Sequence, residues 1–301
     1  MNKKDIILKK VLSNNERFAS IFNNYFFKDN RIDPSKLKDC NIELTNESVN
    51  GEYFNRLRDL IKEGLFKTDD KNNNYVLFGI ENQTSIDKYM AFRIMLYDAL
   101  LYDYQLMNFK KHKKDAKIKL KPVITLVIYY GTKKWKNNLD IHSFFKLDSN
   151  LKEYIQNYKI KLLSVNELSL EELELYNNDI KQLFKFIKMS NTKEGIKDIL
   201  TDNDFKEVKK EIAEAIKIIT DSDIKFNEGD DEVSMCKGLE EFKKEAILEG
   251  KLEGKEEGRI EGSKEKETEV VKTMHNNGAS ESTIAKLLNL DINYVKLVLS
   301  K

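Results

Sequence analysis

Two carboxylates and an amide stand near the ends of two strand-like segments that are close in sequence. Segment Glu52–Ile61 contains Asp59, and segment Tyr75–Gln83 ends in Glu81 and Gln83. A polar run that reads as a turn separates the two segments, so the pattern predicts a β-hairpin. Paired strands lie roughly 5 Å apart, and we therefore expect Asp59 to come close to Glu81.

This spacing indicates metal-assisted chemistry. Alternation places Glu81 and Gln83 on one face of the second strand. Two close carboxylates repel unless a proton or a cation lies between them. Mg²⁺ prefers oxygen ligands, completes its shell with water and phosphate, and activates a bound water for attack on phosphorus. In the alternative interpretation Asp59 faces solvent, and Glu81 ends its strand at the surface.

A basic residue follows on the next predicted helix, Ile86 to Tyr104, for which Ser85 is a candidate N-cap. Arg93 lies on the apolar stripe of this helix, one turn before Tyr97. A guanidinium at such a position needs partners, and carboxylates or phosphates fit its geometry. The alternative is an arginine that extends past the edge of the core to reach water.

The remaining predicted elements of this region are a long first helix and a buried strand. Apolar residues at helical spacing predict one helix from Lys3 to Phe27. The β-branched run from Pro122 to Gly131 is the strongest strand signal in the chain.

The ordered set of these residues resembles a known family. Asp59 is followed by Glu81-Asn-Gln-Thr-Ser85, then by Arg93-Ile-Met-Leu-Tyr97, and finally by Tyr129-Tyr-Gly131 with Trp135 four residues later. This order is similar to that of the recombination-promoting nucleases (Rpn, or YhgA-like transposases), a branch of the PD-(D/E)XK nucleases. The resemblance covers residues 5 to about 135.

The resemblance implies an α/β fold with a PD-(D/E)XK, restriction-endonuclease-like core, in which helices flank a mixed central sheet and a helical C-terminal region follows. It implies a Mg²⁺-dependent DNA endonuclease whose metal ligands are Asp59 and Glu81. Gln83 would take the place of the superfamily's lysine and orient water, with Arg93 and Tyr97 completing the catalytic set. Asp5 matches a polar position that many members carry on their first helix.

Two departures from the family pattern concern catalysis. Arg58 stands where the superfamily name has proline, although this branch often lacks that proline. Gln83 carries no charge, so it can position water but cannot stabilise negative charge on a transferring phosphate.

One stretch of the chain is strongly basic. Seven lysines and His112 fall between Lys110 and Lys121, opposed only by Asp115. Beside a nuclease-like site we expect Lys110, Lys111, Lys113 and Lys114 to bind DNA phosphates without sequence preference. The alternative is an ordinary solvated loop.

Composition divides the chain into four regions. Residues 1–150 form the nuclease-like core, and 151–236 form a helical extension in which Leu168, Leu173, Leu183, Phe186 and Ile187 are expected in the core. Residues 237–274 contain glycine at every fourth position from Gly250 to Gly262; they predict a helix that packs closely on another helix or, as we favour, a loosely helical linker. Residues 275–301 resemble a helix–turn–helix, either a small packing module or a DNA reader.

Bulk properties exclude several classes. The 301 residues include 52 Lys and Arg against 51 Asp and Glu, so net charge does not indicate a partner. There is no apolar run that could span a membrane, and the two cysteines suggest neither zinc nor a disulfide scaffold. We expect a cytoplasmic protein that binds DNA, needs no small-molecule cofactor and is compatible with a homo-oligomer.

Two other functions are compatible with the sequence. The first is a catalytically silent DNA-binding or partner-binding protein that keeps the nuclease scaffold. The second is a regulator that acts through the C-terminal helix–turn–helix.

Overall fold

The computed structural model describes residues 3–40, 44–47, 53–56, 59–69, 74–112, 119–146, 148–226 and 229–300. Contacts divide the chain into two units, residues 1–239 and residues 240–301. Within the described ranges, no helix is long and apolar enough to cross a bilayer.

The strands, numbered along the chain, are β1 Lys38–Asp39, β2 Leu44–Glu47, β3 Tyr53–Arg56, β4 Leu60–Phe66, β5 Asn74–Gln83, β6 Val123–Tyr129, β7 Lys161–Ser164, β8 Val208–Lys209 and β9 Glu232–Val233. The α-helices are α1 Lys3–Leu12, α2 Asn15–Phe22, α3 Met90–His112, α4 Ser149–Lys152, α5 Leu170–Leu173, α6 Asn178–Met189, α7 Lys193–Thr201, α8 Lys210–Ile219, α9 Met235–Asn276, α10 Glu281–Leu288 and α11 Ile292–Leu299.

A five-stranded mixed sheet forms the centre of the first unit, in the order β1-β4-β5-β6-β7. The β1–β4 and β4–β5 pairs are antiparallel, whereas β6 is parallel to both β5 and β7. Helices flank the sheet, and the C-terminal region is helical, so the expected mixed α/β class is confirmed. Two short antiparallel pairs, β2–β3 and β8–β9, lie outside the main sheet.

Both faces of β6 are buried, which explains its nearly continuous apolar sequence. Leu126 and Ile128 belong to the larger core, which contains residues of α1, α2, α6 and α8. Val127 and Tyr129 belong to a second core that contains Met90, Ile94 and Tyr97 of α3. The sheet therefore separates α3 from α1, and a side chain at the end of β5 can be assigned to one side or the other.

The predicted hairpin is confirmed, but its first strand was placed wrongly. Segment 52–61 does not form one strand: β3 pairs with β2, and β4 begins only at Leu60. The antiparallel register joins Leu60 to Ile80, and β5 ends at Gln83 as expected. Asp59 therefore lies just before a strand, at the end of the sheet that carries Glu81.

The first predicted helix is broken. α1 ends at Leu12, and a new helix begins at Asn15 because the Asn14 side chain accepts hydrogen bonds from the backbone N–H groups of Glu16 and Arg17. A π-helical turn, Asn23–Phe27, completes the segment. The apolar stripe continues across the break, so periodicity alone did not indicate it.

The helix after β5 begins later than predicted. α3 starts at Met90 rather than Ile86. The residue that orders the chain just before it is Asp87 rather than Ser85: the Asp87 side chain accepts a hydrogen bond from the Tyr89 N–H at 2.8 Å. Ile86 and Tyr89 are consequently exposed, whereas Met90, Ile94 and Tyr97 are buried as expected. The helix also extends to His112, into the basic stretch.

Residues 151–236 contain three short strands, β7, β8 and β9, that composition did not predict. β7 forms one edge of the central sheet, and α6 and α8 pack in the same core as α1 and α2. The five predicted core residues are all buried: Leu168, Leu173, Leu183, Phe186 and Ile187. Across this core the buried Arg17 donates to Asp179 at 2.8 Å and also pairs with Glu211.

The glycine-containing segment is helical: it lies within α9, which begins at Met235, before the boundary between the two units. α9 runs for 42 residues, and a Cβ added at Gly250, Gly254, Gly258 or Gly262 would meet no atom within 4 Å. Ser280 caps α10, because its side chain accepts a hydrogen bond from the Thr283 N–H. Ile284, Val295 and Val298 are buried with Val271, whereas Leu287 and Leu297 are exposed.

Candidate functional site at the end of strand β5

Glu81 is a buried carboxylate on the α3 side of the sheet. It pairs in register with Val127, which belongs to the core formed with α3. Only 3% of the residue is exposed, and its Oε1 accepts from Arg93 Nη2 at 2.5 Å. An ionised side chain is rarely buried unless it is paired, and Arg93 supplies the pair.

Arg93 connects two carboxylates. Its Nη1 donates to Asp87 Oδ2 at 2.6 Å, while Nη2 binds Glu81. Burial lowers the pKa of Arg93, but Asp87 and Glu81 raise it by more, and the guanidinium stays charged. Its central carbon lies 5.9 Å from the centre of the Tyr97 ring, within the range of a cation–π contact. The structure therefore brings together three of the predicted residues, Glu81, Arg93 and Tyr97.

Asp59 reaches the same strand end by a backbone contact. Its Oδ2 accepts from the Asn82 N–H at 2.7 Å. Burial raises the pKa of the Asp59 carboxyl, the Asn82 N–H lowers it, and the negative charge of Asp5 raises it again. Together these effects raise the pKa of Asp59, so the surroundings of this carboxylate favour the binding of a proton or a cation.

Asp59 and Glu81 have different surroundings. The charged neighbours of Asp59 are Asp5 and Lys9 of α1, whereas the partner of Glu81 lies on α3, across the sheet. Asp59 thus contacts the backbone of Asn82, the residue after Glu81, and the expected approach of the two carboxylates to one metal ion stays a prediction. Among the residues that the structure describes, no group of three or more His, Cys, Asp or Glu side chains is arranged to hold a metal.

Gln83 is the last residue of β5 and is half-buried. Its backbone carbonyl accepts from the Tyr130 N–H at 2.9 Å, which fixes the strand end against the residue that follows β6. By alternation its side chain leaves the strand on the same face as Glu81. Its predicted role of orienting water is compatible with this position.

Sequence reasoning missed two buried residues behind Asp59. The Tyr130 hydroxyl donates to Asn82 Oδ1 at 3.0 Å, and both residues are less than 5% exposed. Burial raises the pKa of Tyr130, and the charge of Asp59 raises it further, so the hydroxyl keeps its proton. Asn82 could have been noticed as the amide that follows Val76, Phe78 and Ile80 on the apolar face of β5.

The predicted lysine patch is placed only in part. Lys110 and Lys111 belong to the end of α3, whereas Lys113 and Lys114 lie outside the described residues. Lys121, the last lysine of the stretch, binds Glu63 Oε2 at 2.5 Å.

The fold and the site define a class: a mixed α/β protein with buried and half-buried carboxylates and a charged guanidinium at one end of its central sheet. The sequence also assigns the chain to a family. A profile of the family described as "Putative transposase, YhgA-like" matches residues 2–223, and the chain belongs to that family. Neither a curated protein nor a solved structure matches the chain.

Proposed function

We propose that this protein is a Mg²⁺-dependent DNA endonuclease with a PD-(D/E)XK-like core, linked to recombination or to mobile elements. The observation that carries the proposal is the ion pair between the buried Glu81 and the half-buried Arg93, at the strand end that Asp59 also reaches. The description of the family as a transposase supports DNA as the substrate.

The chemistry of the donor set fits a divalent cation. Asp59 has a raised pKa, and Glu81 is a second carboxylate near it along the sheet. Mg²⁺ commonly uses one or two carboxylates and takes its other oxygens from water and phosphate. Asp59 and Glu81 would be those ligands, with Asp5 adding negative charge from α1. When bound, the ion would lower the pKa of a coordinated water and polarise the phosphate.

The other residues have separate tasks in this proposal. Gln83 holds the attacking water by a hydrogen bond, and Arg93 holds a non-bridging phosphate oxygen in exchange for part of its contact with Asp87. Tyr97 supports the guanidinium from its ring face. The water oxygen bonds to phosphorus as the bond from phosphorus to the leaving oxygen breaks; the water's proton passes to solvent, and the leaving oxygen takes a proton from solvent.

A second candidate is a catalytically silent DNA-binding protein on the same scaffold. It is favoured by the separate surroundings of the two carboxylates: Arg93 of α3 binds Glu81, whereas the charged neighbours of Asp59 are Asp5 and Lys9 of α1. In this case the ion pair would only hold the end of β5 to α3.

Plasmid nicking with and without Mg²⁺ separates the two candidates. Glu81→Gln keeps the shape of the side chain and removes its charge, and Glu63→Gln is a matched control because Glu63 also pairs with a cation at 2.5 Å on the same sheet. We expect Mg²⁺-dependent nicking by the parent protein and by Glu63→Gln, and none by Glu81→Gln. A folded parent protein that does not nick DNA would overturn the nuclease proposal.

A further inference from the structure

An aromatic cluster lies beside the candidate site and has no role in the proposed cleavage chemistry. Phe144, in the short 3-10 helix Ile141–Phe144, stacks on Tyr89 with ring centres 6.1 Å apart and an interplanar angle of 23°. Phe92 meets Phe144 edge to face at 4.9 Å. Tyr89 is nevertheless 52% exposed. Phe144 thus packs against the Tyr89 ring, Phe92 packs against Phe144, and the Tyr89 ring stays accessible to solvent.

Lysine side chains lie close to the Tyr89 ring and to its aromatic neighbours. The ammonium group of Lys88 lies 4.8 Å from the centre of the Tyr89 ring, and Lys88 itself is exposed. Phe145 is 46% exposed, and the next residue, Lys146, is also exposed. Exposed aromatic rings interleaved with lysines are typical of surfaces that bind single-stranded nucleic acid, where bases stack on the rings and cations follow the phosphates.

The cluster is continuous with the candidate site. The Arg93 N–H donates to the Tyr89 carbonyl at 3.1 Å, so Tyr89 lies one helical turn before Arg93 on the same side of α3. Asp87, two residues before Tyr89, holds the other arm of the Arg93 guanidinium. A nucleotide whose phosphate contacts Arg93 would therefore have its base within reach of the Tyr89 ring.

We infer that Tyr89, supported by Phe144 and Phe92, is a stacking platform for an unpaired base of the DNA substrate. The inference rests on the proposed function for the position of the phosphate and adds the substrate class: single-stranded or locally unpaired DNA. In an intact duplex each base is already stacked between its neighbours, so a lone exposed ring gains nothing from it.

Binding measurements test the platform without cleavage. The parent protein, Tyr89→Ala and Tyr75→Ala are compared by fluorescence anisotropy, in Ca²⁺, with a labelled single strand of about 12 nucleotides and with the matching duplex. Tyr75 is the matched control because it is 55% exposed, has Lys121 5.9 Å from its ring centre, and lies at the start of β5, away from Glu81.

Tyr89→Ala should weaken binding of the single strand by roughly 5- to 150-fold, the range that corresponds to the loss of one stacked base. Tyr75→Ala, and duplex binding by either variant, should change by less than about threefold, which is below the effect of one stacked base. Tyr89→Trp should restore single-strand binding.

A strand with abasic positions shows whether stacking is the cause. The parent protein should bind it more weakly, and Tyr89→Ala should then cause little further loss. Equal effects of Tyr89→Ala on normal and abasic strands, or no effect on either, would overturn the inference and leave a protein partner as the occupant of this surface. The outcome is independent of nicking: a protein that fails to cut but shows the pattern keeps the platform and loses the nuclease proposal.

Discussion

The carboxylate of Asp59 accepts a hydrogen bond from the backbone N–H of Asn82 at 2.7 Å. This contact brings Asp59 to the backbone of the residue that directly follows Glu81 in β5. Burial and the negative charge of Asp5 raise the pKa of Asp59, whereas the Asn82 N–H and the positive charge of Lys9 lower it.

Asp59→Asn should change how stability depends on pH. Because the folded protein holds the Asp59 proton more tightly than the unfolded chain does, the free energy of unfolding falls as pH rises from the ordinary value of 3.8 through the raised pKa, and it stays lower above it. Asp59→Asn should remove this fall and raise the melting temperature at neutral pH. Denaturation followed across this pH range measures the effect. Asp33 is a control of opposite sign, since its bonds to Ser35 lower its pKa.

Divalent cations should stabilise the protein through Asp59. An ion present at 100 times its dissociation constant adds about 2.7 kcal/mol to the free energy of unfolding. The gain should shrink as pH falls through the raised pKa of Asp59, because the proton and the ion compete for the same carboxylate. Thermal melts with Mg²⁺ and with Ca²⁺ measure it. An equal gain in Asp59→Asn would place the cation elsewhere.

Arg93→Leu should destabilise the protein, and a second substitution should recover part of the loss. Leucine leaves the buried Glu81 charge without its cation, which costs about 3–5 kcal/mol for a fully buried pair and about 1–3 kcal/mol for this half-buried arginine. The double variant Arg93→Leu with Glu81→Leu removes both charges and should be more stable than Arg93→Leu alone. Urea denaturation of the parent protein, both single variants and the double variant measures the coupling. Additive effects would mean that the pair contributes nothing.

Tyr130→Phe should act on Asp59 from a distance. The change removes the hydroxyl that binds Asn82 Oδ1 and should cost about 1 kcal/mol of stability. It also frees the Asn82 amide to rotate, so the pH profile of cation binding should move. Tyr129→Phe is the matched control, because Tyr129 lies in the other core, against Trp135. A lower stability with an unchanged pH profile would limit Tyr130 to a structural role.

Replacing Lys110, Lys111, Lys113 and Lys114 with Gln should weaken duplex binding equally for all sequences. The slope of log affinity against log salt should flatten by up to about 0.9 for each phosphate contact that is lost. Anisotropy at several salt concentrations measures the slope. The control carries four exposed lysines of α9 changed in the same way: Lys251, Lys255, Lys264 and Lys266. Identical slopes in the two variants would mean that the predicted patch does not hold DNA.

The sequence was most informative where polar residues interrupt apolar patterns. Glu81 and Arg93 were both singled out because they lie on otherwise apolar faces, and the structure joins them. The strand end at Gln83 and the buried β6 were predicted from periodicity and composition, which differ sharply between these strands and the segments around them.

Features set by single contacts could not be predicted in this way. The break between α1 and α2 depends on the Asn14 cap, and the start of α3 depends on Asp87, while the apolar stripes run through both places. β7 has only four residues, too few for alternation to distinguish it from a loop. The link from Tyr130 to Asn82 joins residues 48 positions apart, and no local pattern indicates such a contact.

The buried Arg17 determines how small a working fragment of this protein can be. Its guanidinium is neutralised by Asp179 and Glu211, and the first of these lies 162 positions further along the chain. A gene fragment that ended near residue 150 would encode every side chain of the candidate site, yet it would leave Arg17 as a buried charge without a counterion. It would also lack every residue after position 150 of the larger core, including those of α6 and α8, and these residues form more than half of that core. The site cannot be separated from those helices by truncation, and any transferable unit must extend to about residue 239.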